Sequence, residues 1–189
     1  QGVSSAASDV YKRQNAPGSN GKILMVKIDD TPPAHPQIGV NEADVVYIEQ
    51  VEGGLTRLAA FFTDPSRLPE LIGPVRSARI SDIDIAAGFG RVAFAYSGEQ
   101  TRMRPVIAAA NLVNLSAERE PSTIYSRDPA RVAPTDLILH AKDLLEKAKS
   151  ENVALDDVKS IGFTFGDSPQ GGRLIVRVKF SWPASSYSA

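Results

Sequence analysis

Cysteine is missing from the chain altogether, which excludes disulfides, thiol nucleophiles and cysteine-based zinc sites while leaving the compartment open. Histidine is nearly as scarce: His35 and His140 are the only two, too few for a histidine-rich metal centre. No apolar run approaches the roughly 18 residues that a spanning helix needs. An excess of one charge is also lacking, since 21 Lys and Arg stand against 22 Asp and Glu for a net charge of -1. No overall field therefore draws the molecule onto nucleic acid or an anionic membrane. The chain further lacks G-x-x-x-x-G-K-[ST], a helix-opening G-x-G-x-x-G, H-E-x-x-H and G-x-S-x-G, which removes the common phosphate-cradling, zincin and nucleophile-elbow chemistries. Acidic residues lack EF-hand spacing. No cofactor and no metal is expected.

What is present suits a globular protein of one domain or a domain plus part of another: 189 residues, 42% hydrophobic and 23% charged. The organising stretch is Asp44 to Phe62, DVVYIEQVEGGLTRLAAFF, where two β-branched and aromatic runs meet at Gly53-Gly54. The pair predicts a β-hairpin with a two-residue turn, because glycine supplies the positive φ angles such turns need. That turn would set Glu52 opposite Leu55, Gln50 opposite Arg57 and Ile48 opposite Ala59, with Glu49 and Leu58 facing each other. Both faces of the hairpin are largely apolar and ask to be covered. Glu49, Glu52 and Arg57 are then charges on strands that otherwise want burial.

Taken in order, residues 1–14 show neither helical nor strand periodicity and read as a non-native leader, with linker chemistry to residue 20. Lys22 to Ile28 reads as a buried strand ending in Asp29-Asp30, and the prolines at 32, 33 and 36 stiffen the loop beyond it. These two carboxylates fit either a site or ordinary turn chemistry. Arg76 and Arg79 precede a short helix for which Ser81 and Asp84 form a capping box. Cations at a helix start are unfavourable unless an anion joins them, and Asp29, Glu49, Glu52 or a ligand could do so. Val92 to Tyr96 reads as a buried strand and Arg104-Pro105 as a helix start. Thr135 is expected to cap a helix carrying Leu137, Ala141, Leu144, Leu145 and Ala148 at helical spacing, with His140 beside that stripe as a packed or solvent-edge residue. Beyond it, 161–165 and 173–180 alternate as half-exposed strands.

The domain therefore spans about 21–150 as a mixed α/β fold, its central sheet built on the hairpin with helices on its faces. The alternative is a purely antiparallel sheet with helices on one side. Residues 151–189 are expected to open a truncated second domain, and the chain, starting at Gln1 without an initiator Met, reads as a fragment whose signal or anchor would lie upstream.

Asp29, Glu49, Glu52, Arg57, Arg76 and Arg79 are expected to converge into one partly buried polar cluster, either an ion-pair network or a ligand-binding site. Paired carboxylates of the glycosidase kind are conceivable from Asp29, Asp30, Glu49 and Glu52. The nearby arginines would instead turn them into ion pairs with depressed pKa values.

The runs IDDTPPAHPQIGVNEADVVYIEQVEGGLTR and GPVRSARISDIDIA resemble the signature of the YerB-like family, bacterial envelope lipoproteins assigned to a domain of unknown function. The resemblance covers about 22–140 and is carried by Asp29, Pro36, Gln37, Ala43, Asp44, Glu52, Gly53, Gly54, Thr56, Arg57, Gly73, Pro74, Arg76, Ser77 and Arg79. Asp30 and His35 stand where Asn and Arg are commoner. Ser97-Gly98-Glu99 replaces a His-x-Gly-Gly-Ser-like loop, a departure that tells against catalysis there. The resemblance implies an exported, lipid-anchored mixed α/β protein with a second, C-terminal domain and no established activity. The expected role is a binding or scaffold module for an anionic cell-wall ligand or an envelope protein partner, without nucleic acid, touching the membrane only through an upstream anchor. The alternative is an envelope hydrolase acting on glycan or peptidoglycan through paired carboxylates.

Overall fold

Strands β1 (Leu24–Asp29), β2 (Val45–Gln50) and β3 (Thr56–Phe62) form the heart of the main sheet, with β3 between the other two and antiparallel to both. The computed structural model describes residues 22–157, 170–173, 179–181 and 187–188. The leader at 1–20 lies outside the described residues, as do most of the expected strands at 161–165 and 173–180. In the tail, β9 (Phe180–Ser181) and β10 (Tyr187–Ser188) form a short antiparallel ladder.

The hairpin is present, but its register differs by one residue from the two-residue-turn expectation. Glu52–Gly54 makes a tight turn closed by a 2.7 Å hydrogen bond from Val51 N–H to the Leu55 carbonyl, with Gly53 at φ 74° and Gly54 at φ 71°. The glycines supply the left-handed backbone as expected, but the loop is three residues long. Glu49 therefore faces Arg57, Gln50 faces Thr56 and Ile48 faces Leu58. Because side chains alternate with period two, that one-residue change brings Glu49 and Arg57 onto the same face.

Beyond β1 the sheet turns parallel. Strand β5 (Val92–Ala95) pairs parallel with β1, and β6 (Leu112–Asn114) parallel with β5, for the order β2-β3-β1-β5-β6. This mixed sheet overturns the purely antiparallel alternative. A second, antiparallel sheet has the order β4-β8-β7, from β4 (Leu71–Ile72), β7 (Tyr125–Arg127) and β8 (Leu137–His140).

Leu137 to His140 is thus strand, not the first turn of a helix. Its continuous apolar run reads equally well at either period, and pairing on both sides decides the matter. The following helix, α3 (Ala141–Ser150), begins after His140, whose Nε2 lies 2.8 Å from the Ser126 hydroxyl. Thr135 is no helix cap: its hydroxyl donates to the Val132 carbonyl at 2.8 Å.

Two cores follow from the alternation along the main sheet. One face carries Ile23, Met25, Ala59, Phe61, Phe94 and Tyr96 against Ala86 of α1 (Ser81–Ala87) and Ile107 of α2 (Arg104–Ala109). Phe61 stacks on Phe89 at a centroid distance of 3.8 Å. The other face carries Leu24, Val26, Ile28, Leu58, Ala60 and Phe62 against the second sheet and the Leu144 side of α3. Both faces are covered, as two apolar faces require. The proline loop is fastened by Arg131, which donates to the carbonyls of Ala34 at 2.9 Å and Pro36 at 2.6 Å.

Two glycines should respond differently to alanine. A Cβ on Gly53 meets nothing within 4 Å, so Gly53→Ala should cost only its left-handed backbone, about 1 kcal/mol. A Cβ on Gly73 would lie 2.8 Å from Ile138 Cδ1 and 2.9 Å from the Leu137 carbonyl oxygen, so Gly73→Ala should cost at least about 2 kcal/mol through forced displacement of the second sheet. Urea midpoints compare the two, and equal losses would contradict this packing.

Candidate functional site

Asp29, Arg57 and Glu49 form a single cross-strand row, since β3 pairs Arg57 with Asp29 on one side and with Glu49 on the other. Two residues back along β1, on the same face, stands Lys27, fully buried. Its ammonium contacts Glu49 Oε1 and lies 2.8 Å from Asp82 Oδ1 in the first turn of α1. Asp82 is also fully buried, and its Oδ2 accepts the Arg79 backbone N–H at 2.6 Å. Ser81 donates its hydroxyl to Glu49 Oε2 and makes no cap of its own, contrary to the capping-box expectation. Burial pulls the Lys27 pKa down to about 8 against the attraction of Asp82, and pushes the Asp82 carboxyl up.

The arginines come from an inserted segment. Pairing between β1 and β5 ends at Val26 and Ala95, and past that point residues 74–78 enter between the diverging chains. On the β1 side, Asp29 N–H donates to the Pro74 carbonyl and Arg76 N–H to the Lys27 carbonyl, each at 2.9 Å. On the other side, Ser97 N–H donates to the Arg76 carbonyl at 2.9 Å and Ala78 N–H to the Gly98 carbonyl at 3.0 Å. A crevice at the carboxyl ends of parallel strands is where open α/β sheets place ligands. Here the wedge carrying Arg76, Ser77 and Arg79 fills its root.

Arg76 Nε pairs with the buried Asp29 Oδ2 at 2.8 Å, and Arg79 Nε with the exposed Glu52 Oε2 at 2.6 Å. Arg57 is buried and makes no ion pair among the described residues; its Nη1 donates to the Ser77 carbonyl at 2.8 Å. Burial, with the like charges of Arg79 and Arg76 added, pulls its pKa down to about 10. The carboxylates in its row are engaged elsewhere, Glu49 by Lys27 and Ser81, Asp29 by Arg76 and the Thr31 N–H.

Arg79 and Gln100 line two adjoining grooves. The smaller, about 500 Å³, is bordered by Val51, Glu52, Ile80, Ser81, Met103 and Val106. The larger, about 760 Å³, is bordered by Ser77, Ser97, Glu99, Glu118, Glu120 and Arg127. Gly98 forms part of its wall, where a Cβ would come within 2.8 Å of Glu118 Oε1.

All six residues expected to converge do so, Glu52 pairing with Arg79 and acting on Arg57 through its charge. Asp30 stays apart on the opposite sheet face, accepting from Thr56 Oγ1 at 2.7 Å and Gln37 Nε2 at 3.1 Å. Sequence reasoning missed Lys27 and Asp82, the centre of the network. The signal for Lys27 was available, a lysine inside the apolar run ILMVKI. Asp82 gave none beyond an ordinary helix first turn.

Lys27→Met would leave Glu49 and Asp82 buried without their cation, so unfolding should become easier by about 3–5 kcal/mol. The folded Lys27 pKa lies below its unfolded value of 10.5. Between about pH 8 and 10.5 the unfolded chain therefore holds more protons, and this group's contribution to stability grows as pH rises. The stability gap between wild type and Lys27→Met should widen from pH 7.5 to 10 in denaturant titrations; a constant gap would contradict the depressed pKa.

Comparison with known proteins agrees with this architecture. A protein of Bacillus subtilis (strain 168) named "Putative lipoprotein YerB" is 40% identical over 69 residues, which is 36% of this chain and 20% of that protein's length. The crystal structure of YerB protein from Bacillus subtilis superposes with a TM-score of 0.62 at 25% identity, covering 74% of this chain and 48% of the solved one. The matched part is thus less than half of either relative. The family described as "Protein of unknown function (DUF3048) N-terminal domain" matches residues 12–154, and the chain belongs to that family.

Proposed function

We propose that this domain is a binding module of the bacterial cell envelope that takes an anionic ligand against Arg57, Arg76 and Arg79 at the crevice between β1 and β5. The observation that supports this reading is Arg57, a buried guanidinium with no ion pair among the described residues, its pKa lowered by burial and by Arg79 and Arg76 against the attraction of Asp29 and Glu52. A carboxylate or phosphate entering beside Arg79 would add the charge-assisted hydrogen bonds that Arg57 lacks. The relative named as a lipoprotein supports an envelope location for this reading.

The hydrolase alternative asks for two carboxylates facing a groove without basic residues between them. Asp29 is held by Arg76, Glu49 by Lys27, and Glu52 by Arg79, while Asp30 is spent on Thr56 and Gln37. The Glu52 carboxyl is held below its ordinary value by backbone hydrogen bonding and by Arg79, the opposite of what a general acid requires. These partners favour binding over hydrolysis.

Arg79→Gln separates site from scaffold because its ion-pair partner among the described residues, Glu52, is exposed, so the stability loss should stay within about 1 kcal/mol. Retention of the chain on purified cell-wall fragments should be salt-sensitive and should fall at least about tenfold in this variant, about 1.4 kcal/mol of binding free energy. Unchanged retention would remove the guanidinium cluster from the binding surface. Release of new wall fragments, abolished by Glu52→Gln, would replace the binding reading with hydrolysis.

A further inference from the structure

The smaller groove sets exposed aliphatic side chains beside a guanidinium that the fold leaves unpaired. Its walls come from the tip of the hairpin, from the residues at the start of α1, and from the turn Thr101–Met103 together with α2, which follows it directly. Ile80 and Val106 stand on it 57% and 43% exposed. A single exposed aliphatic residue is ordinary, but two on one concave surface offer a place that an apolar group can cover. Arg102 lines the same groove and is exposed. Its Nε donates to Gln100 Oε1 at 2.8 Å, which holds the side chain in place, and it makes no ion pair among the described residues. Its terminal nitrogens therefore remain open to a ligand. The other charges of the groove, Glu52 and Arg79, pair with each other at 2.6 Å, so the surplus positive charge belongs to Arg102.

A guanidinium with both terminal nitrogens open matches a carboxylate in a planar, two-point pair. The aliphatic walls ask in addition for an apolar group close to that carboxylate. A peptide ending in an aliphatic residue supplies both, because its terminal carboxylate and its last side chain leave the same carbon. Building on the anionic-ligand reading above, we propose that the smaller groove binds the C-terminus of a peptide whose last residue is aliphatic, its carboxylate on Arg102 beside Arg79 and its side chain against Ile80 and Val106.

The test uses N-acetyl-Ala-Leu, its C-terminal amide and N-acetyl-Ala-Gly, titrated calorimetrically into the full chain and into Arg102→Gln and Val106→Asn. N-acetyl-Ala-Leu should bind, amidation should weaken it at least about tenfold, and the glycine peptide should bind at least about fivefold more weakly. Arg102→Gln should abolish the preference for acid over amide, and Val106→Asn the preference for leucine over glycine. Both positions are exposed, so urea midpoints should stay at the wild-type value. Equal affinity of acid and amide in the wild type overturns the proposal without recourse to any variant, as does equal affinity of the leucine and glycine peptides. Either preference surviving its variant also overturns it. Absence of binding by all three peptides at millimolar concentration removes this proposal, while salt-sensitive wall retention lost in Arg79→Gln would keep the anionic-ligand reading standing. Both preferences present, alongside wall retention unchanged in Arg79→Gln, would keep the peptide groove and fail the anionic-ligand reading alone.

Discussion

A lysine ammonium with no exposure to solvent ties together three elements of this domain. Lys27 projects from the middle of the main sheet toward the helix-covered face, and Glu49 of β2 and Asp82 of α1 reach it from two sides. Withdrawing such a cation from water costs several kcal/mol, which only close carboxylates offset. The requirement explains otherwise unrelated local facts. The odd hairpin loop puts Glu49 on the Lys27 face, Ser81 gives its hydroxyl to Glu49 instead of capping its helix, and Asp82 binds the Arg79 N–H at the helix start. Position along the strand, direction of the helix and entry of the arginine segment are fixed by one charge.

Because Lys27 and Ser81 engage Glu49, and Arg76 and Thr31 engage Asp29, the remaining member of the cross-strand row, Arg57, has no ion pair among the described residues. Arg57 is thus a consequence of the network rather than a part of it. The inserted residues 74–78 complete the arrangement by hydrogen bonding to both diverging strands, so the arginines sit on rigid backbone at the mouth of the crevice. A cationic group fixed in this way needs no reorganisation to meet an anion.

Much of the sequence signature shared with the family is architectural. Asp44 accepts from Thr63 and pairs with Arg67, fastening the start of the hairpin to the turn that follows it. Gln37 donates to the Asp29 carbonyl and the Asp30 carboxylate, holding the proline loop against β1. Gly73 allows the wedge to approach the second sheet more closely than a Cβ would permit. Among the signature arginines, Arg76 pairs with Asp29, Arg79 with Glu52, and Arg57 donates to the Ser77 carbonyl.

The sequence by itself determined the hairpin, the covering of both sheet faces and the convergence of six charged residues, because glycine turn chemistry, two-sided apolarity and opposite charges are local and legible. It did not determine the parallel strands, since a short buried apolar run such as VAFAY carries no mark of its partner's direction. Nor could it choose strand over helix for Leu137 to His140, whose apolar run satisfies both periods until β4 and β7 pair with it. The register of the hairpin turned on one residue of loop length, set by the loop closing at Val51 and Leu55. The partners of Lys27 were decided by tertiary structure, for a buried cation is tolerable only where distant segments, here residues 49 and 82, bring their carboxylates to it.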